Sequence, residues 1–353
     1  MPTLTRQHIV EVSRGILRAV GAPEAHATTV ATHLADANLT GHDSHGIIRV
    51  LQYVKEIREG KLFASAEPAI VRRTNAAASV DGRWTFGQVA ATLAVDEAIK
   101  LARDHGVSIV TICNAAHTGR IGAYPEAAAR QGLAAIMCTG LWGGPISRVA
   151  PFGGRQPRLG TNPMAMAFPY RAGAPFVLDF ATSVAAEGKF RVYRARGEQL
   201  PERWVIRGDG APSADPNDLY DGGSMLPLGG LVGGHKGYAL SLMVSLLGGV
   251  LGRTGCDTTG NSATKSGSSI IAIDLDHIAP RSEIAAEVDA LIEFVKDTPL
   301  MEGAEGIFYP GEVEARTRER RAASGVAVED STWDPIKRLL EEFDLADELA
   351  VVS

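Results

Sequence analysis

The sequence has few cysteines, few aromatic residues and no excess of basic charge. Its 353 residues include three cysteines, 6% aromatic side chains and a formal net charge of −6. A protein that binds nucleic acid usually carries a basic face, so this charge balance argues against that class. Cys113, Cys138 and Cys256 form no Cys-x-x-Cys motif and cannot all pair with one another, which favours free thiols in a reducing cytoplasm.

Segments that would direct the chain to a membrane are also missing. Residues 1–6 contain no apolar run typical of a secretory signal. The longest apolar stretch, 238–251, is too short and too often interrupted by glycine to span a bilayer. We therefore expect a cytoplasmic protein with neither a membrane nor a nucleic acid as its partner.

Glycine is abundant, yet the usual nucleotide-binding glycine motifs are absent. Gly-x-Gly-x-x-Gly occurs nowhere, and Gly188-Lys189 is followed by Phe190 rather than by Ser or Thr. A Rossmann domain or a P-loop is therefore not expected. The 39 glycines still amount to about 11% of the chain, against roughly 7% in an average protein, and each must serve a backbone conformation that justifies its entropy cost.

Hydrophobic periodicity predicts alternating helices and strands. The predicted strands are 77–80, 107–113, 133–138, 176–180 and 269–275. The predicted helices are 9–20, 25–39, 46–59, 87–105, 122–131, 236–251, 283–296, 312–322 and 334–345, whereas 197–235 reads mostly as turns. This order predicts a mixed α/β or α+β fold. We expect an N-terminal helical domain at 1–75, joined by the C-terminal helices at about 312–353, and a mixed α/β domain at 76–311.

The densest polar segment is 41–46, Gly-His-Asp-Ser-His-Gly, between two predicted helices. Histidine is the side chain best suited to exchange a proton near neutral pH, so His42 and His45 are candidate acid–base groups. An equally open alternative is a helix cap, in which Asp43 or Ser44 caps the following helix. A metal site built from this segment lacks an identifiable further ligand, and Ser44 lacks the Gly-x-Ser-x-Gly elbow of a nucleophile.

Two further polar segments follow predicted strands. Segment 117–122 comes after strand 107–113, where loops often contact ligands, although an ordinary strand-to-helix turn would also explain it. Asp179 lies inside an apolar strand and needs a partner, which could be a histidine, a backbone amide or a ligand. Thr182 and Ser183 offer hydroxyl groups at the end of that strand, for a ligand or for the protein itself.

Segment 229–237 combines five glycines with His235 and Lys236 at the start of a helix of small residues. Glycines let a ligand approach the backbone, and a helix N-terminus presents unpaired N–H groups to an anion. The segment therefore suits a phosphate or pyrophosphate group. A flexible glycine hinge with a solvated lysine is the alternative.

Taken together, these segments resemble the malate/L-lactate dehydrogenase family, which includes ureidoglycolate, sulfolactate and diketogulonate dehydrogenases. The resemblance covers nearly the whole chain and is carried by 41–46 with Arg49 and Tyr53, 117–122, 151–154, 160–163, 179–183, 235–238 and 310–312. It implies an NAD(P)-dependent oxidoreductase with a non-Rossmann cofactor-binding domain. It also implies a homodimer whose sites lie near the subunit interface.

The resemblance also assigns roles to residues. His45 is the proton donor or acceptor in some members and His117 in others, and we expect Asp179 to orient His45. The implied cofactor-binding residues are Asp179, Phe180, Ala181, Thr182, Ser183, His235, Lys236, Gly311 and Glu312. The expected substrate-binding residues are Ser44, Arg49, Tyr53, Arg148, Thr161 and Asn162; of these, Arg148 is not a constant feature of the family and could equally be an exposed cation.

The expected reaction is reversible hydride transfer between NAD(P)H and C2 of a small 2-oxo acid. His45 would supply the proton as general acid, Arg49 would hold the substrate carboxylate, and Lys236 would meet the cofactor pyrophosphate. Two alternatives stay open: reduction of a cyclic imine such as piperideine-2-carboxylate or pyrroline-2-carboxylate, and a nucleotide-binding protein without catalytic activity. No metal is expected, and the choice between NAD and NADP is open.

Overall fold

A computed structural model describes residues 1–144, 147–170, 174–253 and 266–346. Its helices are α1 Arg6–Ala19, α2 Glu24–Leu39, α3 Arg49–Arg58, α4 Gly87–His105, α5 Ala123–Ala129, α6 Glu187–Arg196, α7 Gly230–Val244, α8 Arg281–Lys296, α9 Glu312–Ser324 and α10 Asp330–Glu342. Its strands are β1 Thr3–Leu4, β2 Ala69–Arg73, β3 Ala77–Asp81, β4 Val107–Ala115, β5 Leu133–Gly140, β6 Met164–Phe168, β7 Phe176–Phe180, β8 Val205–Ile206, β9 Pro212–Ser213, β10 Ser224–Met225, β11 Ser266–Asp274 and β12 Val326–Ala327.

The main sheet has seven strands in the order β2-β3-β4-β11-β5-β6-β7. Only β3 and β4 run parallel, and the other neighbours in this sheet are antiparallel. The central strand β11 places Ile271 between Ile109 of β4 and Ile136 of β5. The predicted mixed α/β class is confirmed, and the sheet is not the parallel one of a Rossmann domain.

Helix α4 covers the sheet through small side chains. Ala90, Ala94 and Ala98 are fully buried at helical spacing, which lets the helix approach β4 closely. At its start, a Cβ on Gly87 would collide with the carbonyl oxygen of Ala116. Glycine therefore allows the first turn of α4 to lie against the loop that follows β4.

The first and last helices share one hydrophobic core. Ile9 and Ile16 of α1 are fully buried in the same cluster as Trp333 and Ile336 of α10. The short pair β1–β12 joins the same two ends of the chain. Strand β2 belongs to the main sheet, although it lies within the 1–75 range assigned to the helical domain.

The sequence predicts none of the strands β1, β2, β8, β9, β10 and β12, and three further elements differ from the expectations for identifiable reasons. Helix α6 was not predicted because among its ten residues only Phe190 is buried, so it has little apolar periodicity. Strand β6 was not predicted either, since its sequence, Met-Ala-Met-Ala-Phe, contains no β-branched residue. Helix α7 begins at Gly230 rather than at 236, because tertiary packing outweighs the low helix propensity of its glycines.

Tight packing explains several of those glycines. A Cβ on Gly237 would lie 2.6 Å from the amide nitrogen of Leu228, and one on Gly248 would lie 2.8 Å from the carbonyl oxygen of Cys138. Thus α7 and the wider helical turn that follows it, at 245–250, lie directly on β5.

Two of the three cysteines lie within the described ranges. Cys113 and Cys138 are free thiols, as predicted, whereas Cys256 lies outside the described residues. None of the helices in the described ranges combines the length and apolar character needed to cross a bilayer.

Candidate active site

The turn between α2 and α3 is built around Asn38. Its side-chain oxygen accepts a hydrogen bond from the Ile47 N–H (2.8 Å), and its amide nitrogen donates to Asp43 Oδ1 (2.7 Å). A Cβ on Gly46 would overlap the Asn38 amide, so glycine is required there. The guanidinium of Arg321 in α9 holds the other side of the turn through both carboxylate oxygens of Asp43, at 2.7 and 3.0 Å.

The helix-cap alternative for this segment is wrong. Helix α3 begins at Arg49, and the preceding residue, Ile48, supplies no side-chain cap. Ser44 instead places its Oγ 3.0 Å from Nδ1 of His45. Across the described ranges, no three His, Cys, Asp or Glu side chains are grouped as a metal site would require.

The fold brings the two predicted catalytic histidines together. His45 and His117 stack with their ring centroids 5.5 Å apart and their planes 20° from parallel. Burial, reinforced by the charge of Arg49, lowers the pKa of His45 to about 3 and holds the pKa of His117 well below its ordinary value. Both rings are therefore neutral near pH 7.

Tyr53 is placed behind His117. Its hydroxyl lies 3.0 Å from Nδ1 of His117 and accepts a hydrogen bond from Nε2 of Gln88 at 2.6 Å. The side chains of Tyr53 and Gln88 are both fully buried. Tyr53 was expected to face the substrate, but the structure commits its hydroxyl to a protein histidine. Gln88 was missed by sequence reasoning, because nothing distinguishes it within an alanine-rich helix.

Arg49 gives the site a positive charge. Its Nε donates to the carbonyl oxygen of Ser44 and its Nη1 to Oε1 of Gln52, both at 2.6 Å. These two acceptors carry no charge, so neither bond is an ion pair, and the carboxylates of Glu187 and Glu56 act on the guanidinium electrostatically. Helix α6 packs over the same place, with Gly188 close to the Cβ of Ser44. Burial lowers the pKa of Arg49, which makes a negatively charged ligand favourable here.

Asp179 has partners other than the one expected. Its Oδ2 accepts a hydrogen bond from the Gly122 N–H at 2.8 Å and lies 3.8 Å from Nε of Arg120. The imidazole that acts on it electrostatically is that of His42, and burial raises the pKa of Asp179. The expectation that Asp179 orients His45 is therefore corrected. The hydrogen-bond partner of the His45 ring is Ser44.

Arg120 organises the loop after β4. Its side chain is buried and forms an ion pair with Glu126 at 3.0 Å, while its backbone N–H donates to Nε2 of His33 at 3.0 Å. His33 stacks on Tyr124 with a centroid distance of 5.4 Å. His33 is a second residue that sequence reasoning missed, because it lies 87 residues from Arg120 along the chain and no motif surrounds it.

The segment around Asn162 is occupied by internal hydrogen bonds. Asn162 has a positive φ of 39° and is fully buried. Its Oδ1 accepts from the Leu141 N–H at 2.9 Å, and its Nδ2 donates to the hydroxyls of Ser245 (2.8 Å) and Ser241 (3.2 Å). The structure thus uses the Asn162 side chain to hold α7, which leaves no amide group for the expected substrate contact. Thr161 lies beside it and is half-buried.

Several residues expected to bind the cofactor use their side chains for hydrogen bonds or ion pairs within the protein. The hydroxyl of Thr182 donates to the Asn162 carbonyl oxygen, and that of Ser183 to the Ala185 carbonyl oxygen, while Phe180 and Ala181 are half-buried. The carboxylate of Glu312 pairs with Lys296 and Arg316, both at 2.7 Å. A Cβ on Gly311 would lie 2.9 Å from the Val177 amide nitrogen, so this glycine lets α9 approach β7.

The N-terminus of α7 fits the anionic part of a dinucleotide. Gly229 precedes the helix with a φ of 90°, and no side chain caps the first turn. A Cβ on Gly233 would meet nothing, so the surface there is open. His235 and Lys236 are exposed. A first helical turn without a side-chain cap, open space and a lysine suit a pyrophosphate group.

Arg148 lines a cavity of about 550 Å³ that is also bordered by Gln156, Arg158, Leu219 and Tyr220, whereas His45 and His117 are not among the residues that line it.

Comparison with known proteins gives consistent matches over nearly the whole chain. The sequence profile of a family described as malate/L-lactate dehydrogenase matches residues 4–337. The malate dehydrogenase of Pyrococcus abyssi is 38% identical over 331 residues, which are 92% of this chain and 90% of that protein. The Δ1-pyrroline-2-carboxylate reductase of Ancylobacter novellus is 34% identical over 348 residues, 96% of each. The crystal structure of malate dehydrogenase from Entamoeba histolytica matches with a TM-score of 0.92 at 29% identity, covering 97% of this chain and 98% of that one.

Proposed function

This chain belongs to the malate/L-lactate dehydrogenase family, and we propose that it catalyses reversible hydride transfer between a nicotinamide cofactor and C2 of a small 2-hydroxy or 2-oxo acid. The observation that carries this proposal is the stack of His45 on His117 beside the guanidinium of Arg49, whose two hydrogen-bond acceptors carry no charge. A proton donor and a carboxylate-binding cation within one buried site are what a 2-oxo acid requires.

A reduced nicotinamide, when bound, supplies the hydride that forms the new C–H bond at C2 of the 2-oxo acid. His45 gives the proton to the carbonyl oxygen in this direction and takes it back from the hydroxyl in the other. Because burial keeps His45 neutral in the free protein, it starts as a base and is ready for the oxidation of a hydroxy acid. A bound carboxylate offsets the charge of Arg49 and so favours the protonated His45 needed for reduction.

Arg49 holds the substrate carboxylate. Its Nε and one hydrogen of Nη1 are already committed to Ser44 and Gln52, which fixes the plane of the guanidinium. The remaining hydrogens on Nη1 and Nη2 can bind a carboxylate end-on. Helix α6 covers the site and places Glu187 and Arg191 in the electrostatic surroundings of Arg49.

The cofactor pyrophosphate lies at the N-terminus of α7, near Lys236. The support for this assignment is the uncapped glycine-rich first turn and the open space at Gly233. In this proposal the cofactor meets the backbone, not the side chains, at 179–183 and 311–312. The side chains of Thr182, Ser183 and Glu312 are already bonded to other groups of the protein. NAD and NADP both satisfy these features, so binding has to be measured with each.

A second candidate is the reduction of a cyclic imine, favoured by the 34% identity to a pyrroline-2-carboxylate reductase. Hydride would go to the carbon of C=N, and the substrate nitrogen would bring its own proton. The test is a panel of 2-oxo acids (pyruvate, oxaloacetate) and cyclic imines (piperideine-2-carboxylate, pyrroline-2-carboxylate), followed by nicotinamide absorbance with NADH and with NADPH. Turnover with a 2-oxo acid supports the first candidate, and turnover with imines alone supports the second. Calorimetric binding of NADH with no turnover would leave only a nucleotide-binding protein.

We also propose that the chain forms a homodimer. Apolar side chains are exposed along α7 and the turn after it, among them Val232 (92% exposed), Met243 and Leu246. Helix α8 has no buried residue and exposes Phe294. Surfaces of this kind are usually covered by another protein. Light scattering after gel filtration should give twice the chain mass, and a monomer mass would refute the proposal.

A further inference from the structure

The two stacked histidines have different hydroxyl partners, and we propose that this difference divides their roles. Gln88 and Tyr53 hold His117 as a fixed hydrogen-bond donor, which leaves proton transfer to His45. The proposal rests on the proposed function for its chemistry, but its geometry stands on the contacts of these residues alone.

The Tyr53 hydroxyl has one hydrogen and two neighbours. Nε2 of Gln88 lies 2.6 Å away and donates to the Tyr53 oxygen, while Oε1 of Gln88, which is also buried, has no hydrogen-bond partner among the described residues. The Tyr53 hydrogen is then directed to its other neighbour, Nδ1 of His117, at 3.0 Å. His117 therefore accepts at Nδ1, and its single ring proton is on Nε2.

Burial and ring packing hold the side chains of this arrangement in place. Tyr53 and Gln88 are fully buried, and the Tyr53 ring packs edge-on against Phe86 with centroids 5.8 Å apart. Protonating Nδ1 of His117 would turn two N–H groups toward the Tyr53 oxygen and leave the Tyr53 hydrogen without its acceptor. An unpaired buried hydroxyl is costly, so His117 stays neutral while it carries out its role. Its Nε2–H can donate a hydrogen bond to the substrate oxygen. The ring does not take up a second proton at Nδ1, so His117 does not become positively charged.

His45 has the opposite property. Its Nδ1 partner is the hydroxyl of Ser44 at 3.0 Å, on a half-buried turn. A serine hydroxyl rotates and can donate or accept. When His45 is protonated, its Nδ1–H donates to Ser44 Oγ and its Nε2–H is available to the substrate. After Nε2 loses its proton, the bond to Ser44 is unchanged.

The reaction then balances with one mobile proton. In reduction, the hydride pair from the nicotinamide forms the C2–H bond, and the π pair of the carbonyl moves onto oxygen. That oxygen takes the Nε2 proton of His45 while the Nε2–H of His117 polarises it. In oxidation, His45 Nε2 removes the hydroxyl proton as the hydride leaves C2. Tyr53 and Gln88 are positioning residues that act through His117.

The first test is the proton position on His117. Full-length protein labelled with ¹⁵N-histidine is studied by long-range ¹H–¹⁵N correlation, with the His117 signals assigned from His117→Gln. We expect an unprotonated Nδ1 and a protonated Nε2 that persist from pH 6 to pH 9. A proton on Nδ1 of His117 would overturn the proposal. This measurement needs no turnover, so it separates this inference from a failure of the proposed function.

The second test removes the fixing groups. Tyr53→Phe keeps the ring beside Phe86, and Gln88→Met keeps the volume in α4. We expect the His117 proton to exchange between both nitrogens and kcat to fall about tenfold in each variant, with KM changed less than about twofold, the size of effect expected for one neutral hydrogen bond. Melting curves identify any variant that does not fold, and the other variant then decides the test.

The matched control is Tyr124→Phe. Tyr124 is also a buried tyrosine, and its hydroxyl donates to the Thr118 carbonyl oxygen at 2.5 Å, one residue from His117. We expect this variant to leave the His117 tautomer and kcat unchanged within about twofold. If Tyr53→Phe instead raises KM and leaves both kcat and the tautomer unchanged, Tyr53 contacts the substrate and the proposal is wrong.

Discussion

Arg321 and Asp43 form a two-pronged ion pair between residues 278 positions apart in the chain. The pair links α9 to the turn that presents His45, and Arg321 also donates to the carbonyl oxygen of Asn38. The C-terminal part of the chain therefore shapes the site, although it supplies no group that reacts.

Arg321→Gln should reduce turnover more than it reduces stability. The side chains are partly exposed, so the pair contributes only about 1 kcal/mol to folding. Losing it frees the turn that carries His45, and we expect kcat to fall about threefold to tenfold, since small displacements of a catalytic group are costly. Steady-state kinetics and urea denaturation measure the two effects. The control is Arg318→Gln, which loses a similar α9 ion pair to Asp36 away from the turn. Equal losses of kcat in both variants would contradict the prediction.

The two histidines should differ when each is replaced by glutamine. His45→Gln removes the group that moves the proton, so kcat should fall by about 10² to 10⁴. His117→Gln keeps an N–H donor on a side chain of similar reach, so the loss should be about tenfold. Both are measured with the substrate found in the panel. If His45→Gln keeps near-normal turnover while His117→Gln loses it, the roles are assigned the wrong way round.

Arg49→Lys should raise KM for the acid about tenfold while changing kcat less. Lysine keeps the charge but cannot offer the planar pair of N–H groups, and it cannot hold both Ser44 and Gln52. The control is Arg191→Lys in α6, because Arg191 is largely exposed and pairs with Glu187 instead. Initial rates over a range of substrate concentrations separate KM from kcat. An unchanged KM in Arg49→Lys would show that another cation binds the carboxylate.

Local sequence predicted those parts of the fold where one element carries its own signal. Strand β4 has a β-branched run, and helix α4 has buried alanines at helical spacing, so both were predicted close to their observed limits. Helix α6 has one buried residue, and only the complete tertiary structure explains why it forms.

The sequence predicts which segments contain residues of the site, but not the contacts between those residues. His45 and His117 carry visible motifs, and the structure stacks them. Gln88 has no motif, and it matters only because it meets Tyr53 from 35 residues away. Asn162 shows the opposite error: its loop resembles a ligand site, but the hydroxyls of Ser241 in α7 and of Ser245 in the turn after it accept hydrogen bonds from its amide. Residues that come into contact only through tertiary packing are not indicated by the local spacing of residues in the sequence.

Acid should destabilise the folded chain through His33. Burial, then the nearby charge of Arg120, lowers its pKa from 6.5 to about 4, against a weaker opposing effect of Asp36. Between these two values the unfolded chain binds the proton and the folded chain does not, so the free energy of unfolding rises with pH. The contribution of His33 is fully present above pH 6.5 and is lost as the pH falls toward 4. By pH 5 the loss from this one residue is about 2 kcal/mol.

His33→Gln tests that contribution directly. Glutamine can keep an acceptor for the Arg120 N–H, which lies 3.0 Å from Nε2 of His33, but it does not titrate. Urea denaturation at pH 5, 6, 7 and 8 should show that the variant loses less stability than the wild type between pH 7 and pH 5. The difference between the two curves isolates His33, because His45, His117 and the buried carboxyl groups titrate in both proteins. Parallel curves for the two proteins would mean that His33 keeps its ordinary pKa in the fold.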